Sequence, residues 1–356
     1  MEPIHQYSSK DYDVFIGLDV DLKSYVVNVK DHELMNRLIR IPAQPESFGN
    51  YVQKNYNGRR VICAYEAGPT GFGLYDHLIS RHIPCLLVSP LSIPKASNQR
   101  VKTNRIDAGK IAQHLKNGEV KPVRVPETDY RELRQFIRCR EEYVGLIKRS
   151  KQRIKALLLS QSLTGEIKDT QNNWSNRYIT QIQQLTCSPA VRQRLNLLLA
   201  DLAYAREKNL YVLKELKNFC AAQEDIRRNM GYLRSIPGIG FIIATTVLAN
   251  IGNPEYLTGP RELAAFVGLV PCESSTGDRV IKGSITHLGN AVLRSLLVEA
   301  AWITIRHDKR LFQFYHRIKN NHHDNAGAKK AIVAVARKLT MIIYRVLKDQ
   351  REYVAY

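Results

Sequence analysis

Val14-Phe15-Ile16-Gly17-Leu18-Asp19-Val20 is an apolar run interrupted near its end by a carboxylate. Its length and lack of helical spacing read as a buried strand. Tyr25–Val29 follows across a short turn as a second strand, and Leu38–Ile41 as a third. Pro45 opens a helix to about Asn55. The strand Val61–Tyr65 then delivers Glu66, and Gly68-Pro69 breaks the chain before a helix over Phe72–Ile79. Cys85–Val88 is a fifth strand, and Asp107–Leu115 the next helix. Asp19 and Glu66 therefore both stand at carboxyl ends of strands, where open α/β sheets place their ligands.

Three strands followed by alternating helices and strands is the element order of the ribonuclease H-like fold. Four polar positions converge in that arrangement: Asp19, Glu66, Asn104 and Asp107, the last two in VKTNRIDA. Three residues apart, Asn104 and Asp107 share a face at a helix start. Oxygen ligands from separate elements suit magnesium, and paired magnesium ions stabilise the attacking and leaving oxygens of a phosphodiester. Asn104 brings a carbonyl oxygen but no charge, which suits either a weak ligand or a substrate contact.

The rest of the composition points the same way. With 53 basic and 33 acidic side chains in 356 residues, the net charge is +20. Such a balance favours a polyanionic partner, nucleic acid before membrane, because no basic stretch carries the aromatic face of an interfacial helix. No apolar run approaches transmembrane length, and the amino-terminal MEPIHQYSSKDYD lacks signal-peptide features, so a cytoplasmic location is expected. The six cysteines are scattered without a CxxC pair, which excludes a zinc framework and a disulfide scaffold.

Three regions are expected: 1–127, 128–230 and 231–356. The middle one is nearly free of glycine. It places Leu195, Leu198, Leu202, Ala205, Asn209, Val212, Leu216 and Phe219 at alternating steps of three and four. This is heptad spacing, with Asn209 as a register-setting polar residue. An earlier helix, about Tyr130–Ser160, carries Ile137, Val144, Ile147, Ile154 and Leu158 on one side. An antiparallel coiled coil, within or between subunits, and an ordinary helical bundle both fit. The last region holds helices over Ile242–Asn250, Leu263–Val270, Ala291–Ile305 and Ala326–Leu347, and a loop near Ser274–Gly283.

Cations surround the carboxylates, Lys102 and Arg105 among them. A larger run, Lys148, Arg149, Lys151, Arg153 and Lys155, reads as a nucleic-acid track rather than a solvated face. Ser235-Ile236-Pro237-Gly238-Ile239-Gly240 places Gly238 and Gly240 before an apolar helix. Backbone N–H groups at such a helix start suit a phosphate, as in a helix-hairpin-helix turn. Finally, Ser274-Ser275-Thr276 precedes Gly277. One of these hydroxyls attacking a phosphodiester would form a phosphoseryl link and conserve bond energy for rejoining.

Taken together, GLDV at Asp19, YEAGPTG at Glu66, VKTNRIDA, SIPGIG and FVGLVPCESSTGDRVIKGSITHLGNAVLR from Phe266 resemble the DEDD-type insertion-sequence transposases, the bridge-RNA-guided recombinases. The resemblance spans nearly the whole chain. It implies a RuvC-like amino-terminal domain, a helical linker that drives oligomerisation and a mainly helical carboxy-terminal transposase domain with a catalytic serine. It also implies Mg2+, a structured guide (bridge) RNA encoded by the element, donor and target double-stranded DNA, and a dimer or tetramer with a composite site. By position, Asp19, Glu66 and Asp107 match three of the family's four acids, and Asn104 stands where the third acid is usually Asp. Ser275, the first residue of S-T-G, is the expected nucleophile, with Ser274 and Thr276 as alternatives. Two rival readings remain: a Holliday-junction-resolvase-like nuclease that uses water, and a catalytically inactive nucleic-acid-binding relative.

Overall fold

The computed structural model describes residues 7–89, 104–168, 174–256, 258–276, 279–286, 288–321 and 326–355. The chain divides into two compact units, Met1–Val125 and Pro126–Tyr356.

The first unit is built on a mixed sheet. Its strands are β1 (Val14–Val20), β2 (Ser24–Asp31), β3 (Asn36–Pro42), β4 (Val61–Glu66), β5 (Cys85–Val88) and β6 (Pro122–Val123). Their spatial order is β3-β2-β1-β4-β5-β6. β1, β2 and β3 pair antiparallel, β4 and β5 run parallel to β1, and β6 returns antiparallel. The helices are α1 (Pro45–Tyr56), α2 (Gly73–Ser80) and α3 (Asn104–Asn117). The expected strands are all present. β6 was not anticipated, because two residues carry no alternation to read.

Alternate residues of each strand serve opposite faces. Ile16, Leu18, Val27, Cys63 and Tyr65 pack with Phe48 of α1 and Leu78 of α2. Phe15, Ile62, Ala64, Leu86 and Val88 pack with Ile111 and Leu115 of α3. A central sheet covered on both sides explains why β1 and β4 are apolar up to Asp19 and Glu66 rather than alternating.

The second unit is helical apart from one hairpin. It comprises α4 (Thr128–Ser160), α5 (Asn176–Gln184), α6 (Pro189–Ala222), α7 (Glu224–Arg234), α8 (Phe241–Ile251), α9 (Pro260–Val267), β7 (Pro271–Thr276), β8 (Arg279–Ile285), α10 (Ala291–His307), α11 (Lys309–Asn320) and α12 (Gly327–Asp349). Tyr130, Leu133 and Ile137 of α4 share a core with Leu216 and Cys220 of α6. At the other end Ile154, Leu157 and Leu158 meet Leu195, Leu198, Leu199 and Leu202. The two long helices are thus antiparallel within one chain. The α6 seam is buried at Leu195, Leu198, Leu202, Ala205, Val212 and Leu216. Asn209 sits on it half-buried, its Oδ1 without a hydrogen-bond partner. Val144 departs from the expected stripe: it is 39% exposed.

Two further expectations are corrected, and one helix was not anticipated. The helix read as Leu263–Val270 stops at Val267, because Gly268 takes a left-handed φ of 79° and closes it. The stretch read as a loop near Ser274–Gly283 contributes to the β7–β8 hairpin, whose second strand carries the β-branched Val280, Ile281 and Ile285. A helix, α11, follows α10 after a single residue, Asp308, which is 2% exposed and caps it by accepting from the Leu311 N–H at 2.8 Å. Among the described residues no helix is long and apolar enough to cross a membrane.

Candidate active site

Asp19 and Glu66 are brought together by strand register. β1 and β4 run parallel with Leu18 opposite Tyr65, so the next residues on each strand, Asp19 and Glu66, stand side by side. Both lie on the α3 face, two residues beyond Gly17 and Ala64 respectively. Each is half-buried, near the carboxyl end of its strand.

Gly17 is what lets α3 reach them. A Cβ there would lie closer than 3.0 Å to the backbone of Ala108 and Ala112, so α3 rests directly on the β1 backbone. Ala108, Ile111, Ala112 and Leu115 are all buried in that contact. Asp107 immediately precedes Ala108, and the first turn of α3 extends from Gly17 toward the ends of the strands. That turn contains Asn104, Arg105 and half-buried Asp107. Lys102 lies outside the described residues.

Tyr65 was not singled out from the sequence, yet it shapes the loop after Glu66. It is fully buried, and its hydroxyl accepts from the Tyr75 N–H at 3.2 Å and donates to the Gly71 carbonyl at 3.4 Å. Burial pushes its phenol well above the ordinary range, so it stays a neutral donor. Ala67 N–H donates to Val88 O at 2.9 Å and fixes the exit from Glu66.

Carboxylate oxygens are a fitting donor set for a hard divalent cation. Among the described residues, however, no three His, Cys, Asp or Glu side chains are close enough to hold an ion. Asp19 and Glu66 therefore form a two-carboxylate edge, with Asp107 on the helix that overhangs it.

The hydroxyl-bearing residues lie in the other unit. Ser274, Ser275 and Thr276 occupy β7 opposite Ile281, Val280 and Arg279. The base of this hairpin is tightly clamped. A Cβ on Gly268 would collide with Leu288 O, and one on Gly289 with Phe266 O. Gly289 has a φ of 86° and Gly268 of 79°, a region that only glycine enters freely. Arg294 bridges the crossing, donating to Val267 O at 3.1 Å and Leu288 O at 3.0 Å. Asn290 caps α10 through the Leu293 N–H at 2.9 Å and donates to Asn250 Oδ1 at 2.7 Å. Arg294 and Asn290 were not singled out as site residues; their signal was the LGNAVLR segment.

The SIPGIG turn joins α7 to α8. Gly238 has a φ of 91°, and a Cβ there would be 2.6 Å from Ala300 O, so packing against α10 already accounts for it. Buried Thr304 donates its hydroxyl to Pro237 O at 2.7 Å. Gly240 is the residue before α8, with open space beside it. On α4, Lys148, Arg149, Arg153 and Lys155 are exposed on the side away from Ile154. Lys151 differs: it lies over the Trp174 ring at 5.5 Å. Burial lowers its pKa, as do Arg206 and Lys155 nearby.

Both units match transposase models. Residues 16–162 match a transposase model of the IS110 DEDD type, and residues 230–316 match the "Transposase IS116/IS110/IS902 family". The y4qE protein of Sinorhizobium fredii is 33% identical over 251 residues, covering 70% of this chain and 60% of its own length. The transposase for insertion sequence element IS1111A from Coxiella burnetii is 28% identical over 290 residues, 78% of this chain and 75% of its own. A pilin gene-inverting protein from Moraxella bovis is 26% identical over 310 residues, 84% of each chain. The first model contains Asp19, Glu66, Asn104 and Asp107, and the second contains Ser274, Ser275 and Thr276.

Proposed function

We propose that this protein is an insertion-sequence transposase that cuts and rejoins DNA through a phosphoserine intermediate, guided by a structured RNA from its own element. The observation that carries the reading is the seating of α3 on Gly17, which sets the Asp107 turn over the paired strand ends of Asp19 and Glu66. Asp19 and Glu66 would hold Mg2+ at the paired strand ends, and Asp107 and Asn104, further oxygen donors on α3, would have to draw nearer as the ion binds. Bound there, the ion would offset charge developing on the phosphate.

In this reading the Ser275 hydroxyl attacks phosphorus, giving up its proton as the P–O bond to the deoxyribose breaks. The departing sugar oxygen takes up a proton. One phosphodiester replaces another, so resealing needs no external energy. In support of this role, Ser275 is registered opposite Val280 on a hairpin whose base is fixed by the close crossing at Gly268 and Gly289. The acids of one subunit would meet the serine of another, which requires at least a dimer. Lys148, Arg149, Arg153 and Lys155 on α4, Arg105 in the first turn of α3 and the open Gly240 before α8 would follow phosphate backbones.

The test is trapping of protein–DNA adducts with donor and target duplexes in the presence of the element's RNA. Ser275→Ala should abolish the adduct while RNA binding persists. Adducts that survive in Ser275→Ala and vanish in Ser274→Ala or Thr276→Ala would transfer the role. Nicked products with free ends and no adduct in the parent protein would instead assign the attack to water.

A further inference from the structure

The second unit carries an aromatic surface that the proposed chemistry does not use. Trp302 on α10 meets Tyr315 on α11 with ring centroids 5.7 Å apart, and Tyr315 lies edge-on to His316 at 5.2 Å. His316 in turn lies 4.3 Å from Phe312, one turn earlier. Tyr315 is the buried anchor of this chain of rings. Its outer members face water: Trp302 is 39% exposed, Phe312 47%, and Ile303 beside them 46%.

The charge around the rings is one-sided. From Ala300 to Asn321 there are five Lys or Arg residues and one acid, Asp308. Asp308 is buried, where it caps α11 and accepts from the Tyr353 hydroxyl. Arg306, Lys309, Arg317 and Lys319 are exposed. Glu299, one turn before Ile303 on α10, is the nearest exposed acid in sequence. A second copy of this surface would bring like charges together, whereas a polyanion complements it.

We propose that Trp302 and Phe312 form a stacking platform for unpaired nucleotides of a single-stranded nucleic acid, with Arg306, Lys309, Arg317 and Lys319 holding its phosphates. Protruding rings flanked by cations suit bases that have left the stack; a duplex keeps its bases paired and offers such rings no face. Stacking tolerates any base, so the platform holds a strand without reading its sequence. The inference does not depend on how the DNA is cut.

The protein has two tryptophans, Trp174 and Trp302. Trp174→Phe in the full chain therefore leaves Trp302 as a direct reporter. Titration with oligo(U), oligo(dT) and a blunt duplex of equal length should quench its fluorescence with the single strands only. Quenching by one of the two strands and not the other assigns the source as RNA or DNA, and quenching by both admits either. In anisotropy titrations on the unsubstituted background, Trp302→Ala or Phe312→Ala should weaken single-strand binding roughly 5- to 150-fold, the range for losing one stacked base. Trp302→Phe should retain most of it. Phe312→Ala supplies a second test if Trp302→Ala fails to fold. Absence of quenching with both strands, equal quenching by the duplex, or a Trp302 signal that changes with protein concentration alone would each overturn the proposal. Binding readouts also separate its failure from that of the phosphoserine reading, which is judged by adducts.

Discussion

Gly17→Ala tests how the candidate site is assembled. The added methyl would sit closer than 3.0 Å to backbone atoms of Ala108 and Ala112, whereas ordinary contact begins at 3.4 Å. Backbone cannot rotate aside as a side chain can, so α3 must recede, by on the order of 1 Å, loosening the contacts of Ile111 and Leu115 behind it. Overpacking of this kind costs about 1–3 kcal/mol. Ala is otherwise favoured over Gly in a strand by roughly 0.5–1 kcal/mol, which leaves a net loss of about 0.5–2 kcal/mol. Gly109→Ala is the matched control, since its methyl would come no nearer than 4.0 Å to Asn28. It should stabilise α3 by up to about 1 kcal/mol. Urea unfolding measures both, and under the proposed function strand cleavage should fall about 100-fold in Gly17→Ala from misplacement of Asp107. If Gly17→Ala proved as stable as the parent, or the two variants changed places, the seating of α3 on β1 would be refuted.

Two other outcomes follow from the structure. Gly268→Ala forces a left-handed backbone and a clash with Leu288 O, and should cost about 2–4 kcal/mol; an unchanged melting temperature and unchanged proteolysis of residues 271–285 would contradict the clamp. Asp13 accepts from the Arg60 side chain at 2.7 Å and from its backbone N–H at 3.0 Å, and these bonds hold its carboxyl down to about 2. A folded value below the unfolded one, 3.8, means that its stabilisation is present above pH 4 and lost as the pH falls toward 2. Asp13→Asn should flatten that part of the stability–pH curve, and an unaltered acid limb would argue against the pair.

The amino-acid sequence by itself determined most of the first unit. Apolar runs ending in Asp19 and Glu66 identify the central strands, since a strand covered on both faces has no polar residue to spare. Heptad steps in α6 likewise foretell a long buried seam, because side-chain spacing on a helix is set locally. The charge balance indicates a polyanionic partner without any structure. Tertiary structure alone decided the rest. Asp19 and Glu66 become neighbours through the Leu18–Tyr65 register, which no local spacing encodes. Gly17 looks like a weak strand residue until the α3 backbone is laid against it, and Gly268 and Gly289 look like loop residues until their chains cross. Val144 follows the heptad rhythm yet remains exposed. Trp302 and Phe312, ten residues apart on different helices, join one aromatic surface only through Tyr315 and His316. In each case a contact between distant backbones, rather than a residue's own preference, gives the position its meaning.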